Sequence, residues 1–213
     1  GIVDKYIGDA VMAFFGAPVR HENDALDAVE AAVAIVDALE IFNREQDEAE
    51  LPRFMTGLGI NYGEVTVGNI GSERKMDYTV SGDTVNLASR LEGLTKFYGQ
   101  PLIISSSVRE RVGDAHPCRL VDTVVVKGKT VGERIYTTRS SLSDSEREAW
   151  KLHDSAMERF YARDFAGADK LFTKLEEHLP EDALAPMFRE RCATYRQTPP
   201  PQDWNGAWVM TSK

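Results

Sequence analysis

Short apolar runs rich in β-branched and aromatic residues alternate along this chain with longer segments whose apolar positions recur every three or four residues. Residues 2–15 hold two such runs around Gly8-Asp9, which predicts a β-hairpin with a tight turn. His21-Glu22-Asn23-Asp24 then opens a long helix. Its apolar stripe is Ala25, Val29, Ala32, Val36 and Leu39, and the periodicity continues to about Glu45. Strands are expected over 53–62 and 64–67, around a break at Gly63, and over 75–80. A helix follows, with Ser81 or Asp83 as its N-cap and Val85, Ala88, Leu91 and Leu94 as its buried face. A short buried strand over 101–105, a short helix over 106–112 and strands over 118–126 and 134–138 complete this part. Helices and strands alternate irregularly and include hairpins. The expectation is an α+β fold, an antiparallel or mixed sheet flanked by helices.

The pattern changes after Ser140. Ser140-Ser141-Leu142-Ser143-Asp144 reads as a linker or helix entry, and residues 144–196 as helices rich in Ala, Glu and Arg. Ala168, Phe172, Leu175 and Pro180 fit the second half of a tetratricopeptide repeat, with Ala156 as a small residue of the first helix. A generic helical hairpin fits equally well. One repeat cannot bury its apolar face, so it needs a surface to pack on. The tail 198–204 is stiffened by prolines, and Trp204 and Trp208 are expected to anchor it.

The net charge of -9 argues against nucleic acid as a partner. Cys118 and Cys192 are far apart and lack ligand spacing, which suits a reducing compartment and argues against a disulfide framework or zinc. No stretch is apolar enough to span a bilayer, and the expected compartment is the cytoplasm. The chain starts almost inside a strand, so it reads as a piece of a longer protein with room upstream for a sensor or membrane region.

Two places carry candidate chemistry. Asp9 puts a carboxylate at a hairpin tip, where a divalent cation could be held. Asn86 and Arg90 are four apart on one helix, so they share a face, roughly 6 Å apart along the axis. An amide and a guanidinium there suit a ribose and a phosphate. A turn aspartate and a solvated polar stripe are the plainer readings of the same residues.

Segments 5–16 and 82–90 resemble the class III adenylyl and guanylyl cyclase catalytic domain. Gly59-Ile60-Asn61-Tyr62-Gly63-Glu64-Val65-Thr66-Val67-Gly68-Asn69-Ile70-Gly71-Ser72 resembles that family's central strand and the glycine-rich loop after it. Val126-Lys127-Gly128-Lys129 resembles its late lysine motif. The four motifs stand in the family's order and cover about residues 1–139. The resemblance implies the family's ferredoxin-like sheet with flanking helices over 1–139, and a helical, repeat-like extension over 140–213. A diguanylate cyclase is disfavoured, because the hairpin reads Ile7-Gly8-Asp9-Ala10 instead of a Gly-Gly-acidic-acidic-Phe turn.

The resemblance also implies a reaction. With two divalent cations, Mg or Mn, the ribose 3'-hydroxyl attacks the α-phosphate in line and pyrophosphate leaves. Asp9 matches the second of two metal aspartates; the first belongs to a preceding strand that is absent here, so little turnover is expected of this piece alone. Lys5 and Thr79 match the residues that read the purine, and the pair favours ATP over GTP. Asn86 matches the ribose-positioning residue and Arg90 the one that stabilises α-phosphate charge in the transition state. Lys127 matches the lysine that binds the β and γ phosphates, with Lys129 as the neighbouring choice. A chain carrying both groups is expected to form a homodimer with two sites across its two-fold axis. The alternative is a catalytically silent cyclase fold, serving for dimerisation or nucleotide sensing with a protein-interaction tail.

Overall fold

The computed structural model describes residues 1–72, 75–125 and 132–210. The chain divides into two compact units, Gly1–Thr95 with Pro101–His116, and Lys96–Gln100 with Pro117–Lys213. The fold is α+β, as the apolar pattern predicts.

In the first unit β1 (Ile2–Ile7) and β2 (Ala10–Phe14) form an antiparallel hairpin, paired from Ile2 with Phe14 to Ile7 with Ala10. The ladder slips between Val3 and Lys5, which leaves Asp4 without an opposite residue. Helix α1 (Asp24–Glu48) follows. It buries Ala25, Val29, Ala32 and Val33, while Val36 and Leu39 of the expected stripe are half-exposed. Strand β3 (Leu58–Ile60) is shorter than the expected 53–62. β4 (Thr66–Ser72) and β5 (Lys75–Ser81) pair antiparallel in full register. The glycine-rich segment 68–71 is therefore a strand, where a loop is expected. Helix α2 (Asp83–Tyr98) comes next, and its last residues, from Lys96, belong to the second unit. β6 (Leu102–Ser105) pairs parallel to β3, and α3 (Ser106–Val112) follows it. Four consecutive buried residues, Leu102 to Ser105, mark β6 as a core strand. α1 lies against α3, β3 and β6.

In the second unit β7 (Cys118–Val125) pairs antiparallel with β8 (Glu133–Thr138). The short β9 (Trp208–Val209) adds to β7 in parallel. Helices α4 (Asp144–Tyr161), α5 (Phe165–His178) and α6 (Leu184–Gln197) pack in sequence, and α4 also rests on β7. Ser143 and Glu146 close a reciprocal cap at the start of α4. Phe160, Ala168, Phe172, Leu175, Leu184 and Phe188 form the buried interior. The surface that the helices need is thus β7 and the tail. Trp204 lies edge-on to Phe160, with ring centroids 5.7 Å apart, and the Arg191 guanidinium stacks 4.1 Å from the Trp208 ring. Both tryptophans anchor the tail. Cys118 and Cys192 are free.

Candidate active site

The β1–β2 turn consists of Gly8 and Asp9. Gly8 has φ +66°, a left-handed value that glycine adopts without strain and that two-residue hairpin turns require. The turn leaves Asp9 exposed at the tip. Among the described residues no three His, Cys, Asp or Glu side chains converge as a metal site. Asp9 therefore contributes a single carboxylate, and the described residues bring no complete ligand set to it.

Lys5 and Thr79 do come together. The Thr79 hydroxyl on β5 donates to Asp4 Oδ2 at 2.7 Å, and Lys5 Nζ lies 3.5 Å from the same oxygen. Thr79 is buried, and the Asp4 side chain is 1% exposed against 38% for Lys5. Asp4 is the residue that sequence reading misses. On a regular strand neighbours point to opposite faces, so Lys5 gives no reason to look at the residue before it. The bulge at Asp4 breaks that alternation, and nothing in the local sequence announces it.

Helix α2 carries Asn86 and Arg90, and close packing positions it. A Cβ on Gly59 would overlap the amide nitrogen of Glu92 and the carbonyl oxygen of Ala88, so β3 can lie this near α2 only with glycine at 59. At the helix entry the Gly82 carbonyl accepts from the amides of Val85 at 3.1 Å and Asn86 at 3.2 Å. Gly82, at φ +145°, thus occupies the capping place expected of Ser81 or Asp83. Asn61 Nδ2 donates to the Thr84 carbonyl at 3.0 Å, and the Thr84 hydroxyl donates to the Glu64 carbonyl at 2.8 Å. These bonds tie the first turn to the segment between β3 and β4. Asn86 is exposed and Arg90 half-exposed on this anchored helix. Neither side chain takes a protein partner among the described residues, so their amide and guanidinium donors remain available to a ligand. Lys127 and Lys129 lie outside the described residues.

The described residues offer a half-exposed ammonium beside a buried hydroxyl, an exposed carboxylate on a tight turn, and an amide and a guanidinium on one helix face. Those groups suit a nucleoside with attached phosphates. Comparisons with known proteins give the chain's family. The profile of the Adenylate and Guanylate cyclase catalytic domain family matches residues 4–150. Adenylate cyclase 1 of Rhizobium meliloti is 38% identical over 136 residues, 64% of this chain and 20% of that protein. An adenylate cyclase of Anabaena cylindrica is 40% identical over 147 residues, 66% of this chain and 28% of the relative. The chain thus spans less than a third of either relative's length. Among solved structures, the adenylyl cyclase CyaB of P. aeruginosa superposes with a TM-score of 0.58 at 33% identity, over 67% of this chain and 73% of that one.

Proposed function

This chain belongs to the Adenylate and Guanylate cyclase catalytic domain family, and from that premise we propose that it converts ATP to 3',5'-cyclic AMP and pyrophosphate. The family description covers both purines, so membership alone does not choose between them. The observation that supports ATP is the meeting of Lys5 and Thr79 at one carboxylate. A lysine donor suits adenine N1, which accepts, where guanine carries a proton instead.

In this reading the ribose 3'-oxygen forms a bond to the α-phosphorus as the bond to the bridging β-phosphate oxygen breaks. The 3'-hydroxyl proton passes to solvent and pyrophosphate departs. Arg90 places its guanidinium where charge builds on the α-phosphate, and Asn86 holds the ribose so that the hydroxyl is in line. Lys5 and Thr79 fix the base at the far end of the substrate, and Lys127 is assigned to the β and γ phosphates. The family uses divalent cations. Bound there, Mg or Mn would neutralise phosphate charge and make the hydroxyl more acidic. Asp9 would supply one ligand to such an ion.

Metal carboxylate and base-reading residues on one chain favour an isologous homodimer with two shared sites. Residues 1–139 serve in this proposal as the catalytic domain and 140–213 as a repeat-like helical extension. Among the described residues no helix is long and apolar enough to cross a membrane, and we place the reaction in the cytoplasm.

The test measures cyclic AMP from ATP and cyclic GMP from GTP, with Mg or Mn, by the full-length protein that carries this chain. Cyclic AMP in clear excess is expected. Cyclic GMP in excess would overturn the purine assignment. No cyclic nucleotide from a well-folded protein would replace the enzyme with a nucleotide-sensing or dimerisation module. Mixing subunits that carry Asp9→Asn with subunits that carry Arg90→Ala should restore one intact site per mixed dimer.

A further inference from the structure

Asp4 stands where β1 slips against β2. Val3 faces Ala13 and Lys5 faces Met12, with Asp4 between them and unpaired. A bulge of this kind re-aims side chains. Here it turns two successive residues toward one point, and the same Asp4 oxygen reaches across to Thr79 on β5. The carboxylate is the sealed hub of this cluster, and the lysine is its accessible end.

The protons can be counted. A threonine hydroxyl has one proton and two lone pairs, and a lysine ammonium has three protons and no lone pair. The other acceptor near Thr79 is the Val80 carbonyl, at 3.5 Å. The Asp4 oxygen is at 2.7 Å and carries charge, so it takes the proton. Thr79 is left able only to accept from anything else, while Lys5 is able only to donate. Beside Thr79 on β4 stands Gly68, its direct partner in the ladder, on the same face. A Cβ at Gly68 would meet nothing within 4 Å, so the space flanking Thr79 is open.

We propose that Asp4 determines purine specificity by committing Thr79 to accept and by holding it beside Lys5, which can only donate. That pair complements the adenine edge, where N1 accepts and the N6 amine donates. It opposes guanine, where N1–H donates and O6 accepts. A site built around hydrogen bonds discriminates strongly because the wrong ligand leaves its polar groups unpaired. The inference rests on Lys5 and Thr79 being the base-contacting pair.

The experiment compares kcat/KM for ATP and GTP in the full-length protein. Asp4→Asn keeps the volume, removes the charge and offers Thr79 either an acceptor or a donor, so the hydroxyl is no longer committed to accepting from the base. The ATP-to-GTP ratio should fall by about tenfold or more. Thr79→Val, which removes the hydroxyl at equal volume, should also lower it, and adding Asp4→Asn to Thr79→Val should change it no further. An Asp4→Asn protein that loses activity equally on both substrates, or effects that simply add, would overturn the role of Asp4 and leave the ATP reading standing. A wild-type protein that prefers GTP would remove that reading and the inference together. Should Asp4→Asn fail to fold by circular dichroism, Thr79→Ser against Thr79→Val decides. Serine keeps the proton on Asp4 and should keep the ratio; a ratio lost in both overturns the proposal.

Discussion

Arg191→Met tests the interior of the second unit. Asp122 is fully buried, and its Oδ2 accepts from Arg191 at 2.6 Å and from the Tyr98 hydroxyl at 2.7 Å. Its Oδ1 accepts from the Thr123 amide at 2.7 Å. Arg191 is itself only 6% exposed. Methionine keeps much of the arginine stem but removes the charge, so a sealed carboxylate is left with two neutral donors. Breaking a buried pair from one side costs about 3–5 kcal/mol, because the remaining charge has neither water nor an opposite charge to compensate it. For a chain of this size that corresponds to a fall in Tm of roughly 6–20 °C. Adding Asp122→Asn removes the stranded charge, and the double variant should recover at least half of the loss, a coupling that shows only for residues in contact. The assay is urea and thermal unfolding followed by far-ultraviolet circular dichroism, with tryptophan fluorescence reporting on Trp208 beneath the guanidinium. A single-variant cost under about 1 kcal/mol, the value of an exposed pair, would mean that the Asp122 charge does not depend on Arg191. So would a double variant no more stable than the single.

Three further outcomes are expected. His153 is buried; its Nδ1 accepts from Arg119 at 3.0 Å, so Nε2 carries the proton and donates to the Leu120 carbonyl at 2.7 Å. Burial and the Arg119 charge hold its pKa well below the usual value. The unfolded chain therefore binds more protons than the folded one below about pH 6.5, and stability should fall by up to roughly 1.4 kcal/mol per pH unit there while staying level above. His153→Gln should lose this component between pH 6.5 and 5.5, and equal slopes in both proteins would contradict it. Gly59→Ala pushes a methyl into the backbone of α2 and should cost about 1–3 kcal/mol in urea unfolding; an unchanged midpoint would mean that β3 and α2 are not so closely apposed. Arg90→Ala should lower kcat by about 100- to 1,000-fold with Tm unchanged, and a loss confined to KM would assign Arg90 to ground-state binding instead.

Much of the fold was legible because its elements repeat at the period of their own geometry. Ser106–Val112 and Lys75–Ser81 begin where the pattern starts them, and α1 starts at Asp24 as the polar cluster before it suggests. The misreadings fall where local preference and tertiary contact disagree. Residues 53–57 look like strand, yet β3 begins only at Leu58, where it gains a parallel partner in β6. Gly68 and Gly71 look like a loop, yet the antiparallel ladder with β5 holds them extended.

Local patterning along the chain is enough for the α+β class, the Gly8-Asp9 turn that exposes a carboxylate, and the four-residue spacing that puts Asn86 and Arg90 on one helix face. Each follows from the chain's own dihedral preferences or from the helical repeat, which act over a few residues. Tertiary structure alone decided that Asp4 joins Lys5 to Thr79, 75 positions away, and that Asp122 and Arg191 meet in the interior, 69 positions apart. No local preference encodes such meetings. A ladder slip and a long side chain reaching from α6 to β7 bring these groups together, and burial then makes each charge dependent on its partner.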